Sequence, residues 1–242
     1  MIIFNTLKAD FYRIIKSALG FYSIVGLMVL GLLFAFLGKD TSALETLESG
    51  LGNGTLLLPV FLTNVFVIAW GHEFSFRIVN NSLISGMKRS QFFISKVLLT
   101  FILTLFFVGM YTGSLLLGTY FFSGGFEIMS VLKVIALQTP LYLAAGSLGI
   151  LLFNVLKTSY VCIAAFISIA FIGDNLLGNV ISTYFSQYDF ILDTLFFSNL
   201  RTVVGYEALS QGTLQLMMVS SVVYGLLALI VSFSVFQKRE FK

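Results

Sequence analysis

Along the chain, long runs without a charged side chain alternate with short polar segments. Between Lys16 and Lys39 lie 22 uncharged residues, between Lys96 and Glu127 there are 30, between Lys133 and Lys157 there are 23, and between Glu207 and Lys238 there are 30. A further run extends from Glu48 to His72 and contains Pro59, which kinks a membrane helix without abolishing it. Crossing a hydrocarbon core of about 30 Å takes about 20 helical residues, and a charge placed there is costly. The fifth run, 158–173, has only 16 residues and spans only by continuing past Asp174. The pattern predicts an all-α integral membrane protein with six transmembrane helices, at about 17–38, 51–71, 97–122, 134–156, 158–177 and 213–236.

Three other segments complete the expected architecture. In residues 4–16, Phe4, Leu7, Phe11, Ile14 and Ile15 share one helical face, with Asn5, Asp10, Arg13 and Lys16 opposite. This pattern predicts an amphipathic helix lying in the membrane interface. Residues 72–96 form a loop long enough for a short helix. Residues 178–212 are rich in Tyr and Phe, including Tyr184, Phe185, Tyr188, Phe190, Phe196 and Phe197, with Asp189 and Asp193 among them. That composition suits short helices dipping into the interface better than a free loop. No internal repeat is evident.

Composition sharpens the class. Hydrophobic residues make up 58% and charged residues 10% of the 242-residue chain, against about 25% charged in a typical soluble domain. So few charges cannot keep the surface of a soluble fold in water. The net charge of +3 is not gathered into a basic face, which argues against nucleic acid as a partner. The single cysteine, Cys162, lies in an apolar run and reads as a small packed residue. The first apolar run is too long for a signal peptide and lacks a small-x-small cleavage site, so it is expected to remain as a helix.

The distribution of charge sets orientation. With the termini, 72–96 and Lys157 on one side, that side holds 11 basic residues against three opposite, Lys39, Lys133 and Arg201. The positive-inside rule then places both termini in the cytoplasm of a multi-pass cell-membrane protein. Acidic residues lean the other way, with only Asp10, Glu73 and Glu240 on the basic side.

Little conventional chemistry is present. No G-x-x-x-x-G-K-[ST] occurs, so the chain lacks a P-loop. His72-Glu73 begins like a zinc-protease motif, but position 76 is Phe and no second histidine exists, so no metal is expected. His72 reads instead as a polar interface residue beside Trp70 as a belt anchor. Every acidic residue is expected at or beyond a helix end, unlike the midplane carboxylates of ion-coupled transporters. Energy for transport would therefore come from a partner.

The segment 72–96 is the candidate contact for such a partner. Glu73 and Arg77 are one helical turn apart and can pair. Phe76, Val79 and Leu83 form a short apolar stripe, Gly86 is placed to end a helix, and Lys88, Arg89 and Lys96 return the chain to the membrane. An ordinary basic connector explains the same residues equally well by periodicity alone.

The start LKADFYRIIKS before the first span, and the stretch from Glu73 to Lys96 with its Arg77, Gly86, Lys88-Arg89 and final Lys96, resemble a known family. They are similar to the permease subunits of type-2 ATP-binding-cassette (ABC) exporters, in particular the small six-span subunits of Gram-positive bacteria. Those subunits serve bacitracin or lantibiotic immunity and the export of phenol-soluble modulins. The resemblance covers most of the chain. It implies an interfacial helix at 4–16, a cytoplasmic coupling helix near 74–87 carrying Glu73, Phe76, Arg77, Val79, Leu83 and Gly86, and outer re-entrant helices between the last two spans. It implies that helices two and five line a path at a dimer interface, where the polar residues are Thr63, Asn64, Thr158, Ser159 and Ser168. Each of these is equally explained as a helix-packing contact.

The function it implies is a permease that exports hydrophobic or amphipathic peptides across the lipid bilayer. The expected partners are an ABC ATPase subunit and a second permease copy or paralogue. The chain itself would be no enzyme and hold no cofactor, with ATP and Mg on the partner ATPase. The alternatives are a motor-less channel or facilitator, an ABC exporter of a lipid or drug, and, least supported, an intramembrane protease.

Overall fold

The structure, a computed structural model, describes residues 8, 10, 12, 17–75, 78–84, 86–156 and 158–239. Helix accounts for 91% of the described residues, and none of them forms a strand. Among the described residues, ten α-helices follow in order: α1 (Ala18–Leu37), α2 (Ala43–Phe66), α3 (His72–Ser75), α4 (Ile78–Ile84), α5 (Arg89–Ser123), α6 (Ile128–Val155), α7 (Ser159–Ser168), α8 (Asp174–Tyr184), α9 (Phe196–Thr202) and α10 (Gln211–Lys238). A π-helical turn, Val67–Gly71, continues α2, and a second, Ile169–Gly173, joins α7 to α8. Six of the resulting runs are long and apolar enough to cross a membrane: α1, Ala43–Gly71, α5, α6, Ser159–Tyr184 and α10. The chain is a multi-pass membrane protein in make-up.

The helices start and stop for local reasons. Ser17 accepts the Gly20 N–H and opens α1. Ser42 and Glu45 form a reciprocal capping box at the start of α2, satisfying donors that a helix start leaves unpaired. Gly86 and Gly124, at φ 93° and 92°, adopt backbone conformations that favour glycine and end α4 and α5. Inside the apolar runs, hydroxyls fold back onto the preceding turn. Thr100 donates to Lys96 O, Thr112 to Val108 O and Ser147 to Leu143 O, so these polar atoms tolerate an apolar surround.

Two packed groups build the bundle: α1 lies along α5 with α2 against both, and α6 pairs with α10. α1 and α5 approach closely, with Gly31 meeting Ser114 and the Tyr111 backbone, and Gly118 meeting Ala35. Small residues let the backbones come together, which is how helices gain packing energy where lipid is as apolar as the core. The runs α2, α5 and α6 are 67%, 56% and 56% buried over their most apolar stretch, against 28%, 17% and 22% for α1, Ser159–Tyr184 and α10. The first three form the centre, and the others turn an apolar face outward.

The contacts define two ends. At one, Trp70 meets Thr100, Phe92 stacks on Phe236, and Arg239 reaches Phe153 and Asn154. At the other, Phe36 meets Phe122, Tyr111 reaches Gly50, and Gln138 reaches Leu200.

Candidate functional site

The basic end holds a buried charge cluster. The Lys96 ammonium lies 2.6 Å from Asp10 Oδ2 and 2.9 Å from Glu73 Oε1. The three side chains are 2%, 11% and 0% exposed. The cluster joins the segment before α1, the start of α3 and the second turn of α5. Below it, the Phe92 ring lies 5.5 Å from the ammonium and stacks on Phe236 at 5.9 Å. Charges in so apolar a surround are kept only in close pairs, since each alone would carry a large desolvation cost.

The π turn places Glu73. His72 N–H donates to Val67 O, five residues back, so the extra residue in this turn re-aims everything after it, a device common at functional positions. In the same turn Trp70 is fully buried and donates from Nε1 to Thr100 Oγ1 at 3.0 Å. Thr100 in turn donates to Lys96 O at 2.8 Å. A hydrogen-bonded chain thus runs from the end of α2 to the residue that holds Glu73. This corrects the expectation that Trp70 is a belt anchor: an anchor would face the headgroups, whereas this ring is packed against Phe93 at 5.6 Å.

Two arginines secure the helix ends beside the cluster. Arg89 Nη1 donates to Gln237 O and Arg239 O at 2.6 and 3.0 Å. Arg239 Nη1 donates to Phe153 O and Asn154 O at 3.3 and 3.1 Å. Both guanidinium groups meet carbonyls that a helix C-terminus leaves without partners, at the negative end of its dipole. Burial lowers the Arg239 pKa from its ordinary value, yet an arginine at such a site stays charged at neutral pH.

The residues singled out from the sequence scatter. Phe76 and Arg77 lie outside the described residues, so the pairing of Glu73 with Arg77 does too. So do most of residues 4–16, of which only Lys8, Asp10 and Tyr12 are described. Asp10, expected on the polar face of that helix, is instead buried against Lys96. Val79 is 1% exposed and belongs to the chain's own core, Leu83 packs half-buried against it, and Ile84 is 85% exposed. Gly86 N–H donates to Leu83 O and ends α4.

Among the proposed path residues, Thr63 donates to Val60 O, and Asn64 donates to Ser23 Oγ at 2.8 Å, an α1–α2 packing bond. Ser159 is half-buried, while Thr158 and Ser168 are exposed. Asp174 opens α8. It lies within the run Ser159–Tyr184, 8% exposed, and accepts the Ser198 N–H at 2.9 Å.

The sequence does not bring Lys96 and Asp10 together, because its charge pattern ends a loop at Lys96. Phe92, Phe93 and Ile94 just before it were the available signal, since three apolar residues in a row place Lys96 inside the helix rather than ahead of it. In comparisons with known proteins, no protein-family model matches the chain and no curated protein matches it.

Proposed function

We propose that the chain is the membrane permease subunit of an ATP-driven ABC exporter that moves hydrophobic or amphipathic peptides. The motor is a separate ABC ATPase chain holding ATP and Mg, and a second permease copy or paralogue completes the assembly. The basic end is read as cytoplasmic, residues near 4–16 as an interfacial helix, and the short helices between α8 and α10 as re-entrant at the outer side.

The observation that carries the proposal is the Asp10–Lys96–Glu73 cluster at the root of α3 and α4. A force on these short helices reaches α2 through the π turn and α5 through Lys96, because the ion pairs make the junction stiff and discrete. Val79 fastens α4 to the bundle, which leaves Leu83 and Ile84 to meet the ATPase. The resemblance of the segments around Asp10 and Glu73–Lys96 to ABC permeases adds to this reading.

Co-purification of an ATPase with the full-length chain, and substrate-stimulated hydrolysis in proteoliposomes, are the tests. Leu83→Ala, Ile84→Ala and Phe76→Ala should insert normally and weaken ATPase retention, because a few apolar anchors dominate such interfaces. Glu73→Gln and Arg77→Glu should keep the ATPase bound while transport no longer follows hydrolysis. Wild-type retention and coupling in all five variants would reduce the segment to a connector and overturn the proposal.

A further inference from the structure

At the end of the bundle away from Lys96, α2, α6 and the turn Val203–Ala208 enclose a cavity of about 190 Å³. Leu47, Leu51, Val131, Val134 and Val204 wall it, and all five belong to the buried core. Glu48 and Glu207 stand exposed at its lip. Tyr206, also at the lip, donates its hydroxyl to Glu207 Oε1 at 3.2 Å. Among the described residues, neither Glu48 nor Glu207 forms an ion pair with a base. The Tyr206 pKa is raised, first by lost hydration, then by the hydrogen bond and charge of Glu207 and the charge of Glu127. Arg201, the nearby base, faces an adjoining recess with Glu48 rather than this cavity.

We infer that this cavity binds a small organic cation, its apolar body between Leu47, Leu51, Val131 and Val134 and its ammonium or guanidinium between Glu48 and Glu207. The size fixes the body. An apolar cavity of about 150 Å³ holds benzene, so 190 Å³ takes a single ring or a short alkyl chain. The chemistry of the lip fixes the charge. Apolar walls reward any apolar group, but the carboxylates favour a cation over its neutral analogue and repel an anion. With the head at an exposed lip, the cation keeps part of its hydration and avoids the cost of full burial. The site needs no ATPase and stands apart from the export reading, so either can fail without the other.

The test uses the full-length chain in zwitterionic nanodiscs, with empty discs subtracted, and saturation-transfer NMR of benzylammonium, benzyl alcohol and benzoate. Benzylammonium should bind saturably, benzyl alcohol more weakly and benzoate not at all. Glu48→Gln combined with Glu207→Gln, both at exposed positions where folding is not at risk, should weaken benzylammonium about tenfold and leave benzyl alcohol unchanged. Raising salt should weaken the cation selectively. Val134→Phe, which fills the cavity, should abolish binding of both. Equal binding of benzyl alcohol and benzylammonium, an unchanged affinity in the double variant, or no signal above empty discs would each overturn the assignment.

Discussion

Lys96 is a residue whose position is decided by its partners rather than by its own chemistry. A lysine two turns into an apolar helix ordinarily stretches its ammonium toward the interface, yet here it is 2% exposed and held by Asp10 and Glu73. Removing one partner from a buried ion pair typically costs about 3–5 kcal/mol, because the remaining charge stays behind. Lys96→Met is therefore expected to lower the thermal stability of the solubilised protein severely. Asp10→Asn should cost less, since its side chain is 11% exposed and can still reach water. Adding Glu73→Gln to Lys96→Met should recover part of the loss, a non-additivity that a double-mutant cycle reads directly. A Lys96→Met protein within about 0.5 kcal/mol of wild type would mean the pairs contribute nothing. The sequence shows the one-turn spacing of Glu73 and Arg77 but not the Lys96–Glu73 contact, because local spacing is visible in a chain and contact across 23 residues is not.

At the scale of elements, the uncharged runs predicted six crossings, and six suitable helical runs are present. What they did not reveal is which helices are central. In water a helix declares its buried face by its apolar stripe, but in lipid both faces are apolar, so the contrast is lost. The small residues carry the missing signal: Ser23, Gly31 and Ala35, with Leu27 between the first two, recur every four residues on the buried side of α1. Gly118→Leu should therefore force α1 from α5, since even an added Cβ would meet Ala35 Cβ at 2.6 Å. The expected cost is about 1–3 kcal/mol, read as a loss of monodisperse protein in size-exclusion chromatography. Gly113→Ala, in the same helix with nothing within 4 Å of the added carbon, should be neutral or stabilising by up to about 1 kcal/mol. If the two variants behave alike, close packing of α1 on α5 is not what holds this pair. The two π turns were also illegible, because one inserted residue leaves an apolar run looking like any other.

For the whole molecule, the segregation of charge between the two ends is the feature that sets its direction in the membrane. Lys88, Arg89, Lys96, Lys238 and Arg239 gather at the end of the buried cluster, while Glu45, Glu48, Glu127 and Glu207 gather at the other, with Lys39, Lys133 and Arg201 among them. Basic residues resist translocation and acidic ones contribute little, so the cluster end is expected to face the cytoplasm and the cavity end the exterior. Single cysteines test this in a Cys162→Ala background; Cys162 is 1% exposed, and the change removes only a small buried side chain. Ser49→Cys and Gln187→Cys are at exposed positions on the acidic side, and Ile84→Cys is 85% exposed beyond the basic end. A maleimide that cannot cross the bilayer should modify the first two in intact cells and reach Ile84→Cys only after permeabilisation. The comparison is internally controlled, since all three sites are open to reagent in detergent and differ only in which side of the membrane they occupy. Labelling of Ile84→Cys in intact cells would invert the molecule. The short helices α3 and α4 would then be out of reach of any cytoplasmic ATPase, and the charge cluster at their root would need a purpose other than transmitting its motion.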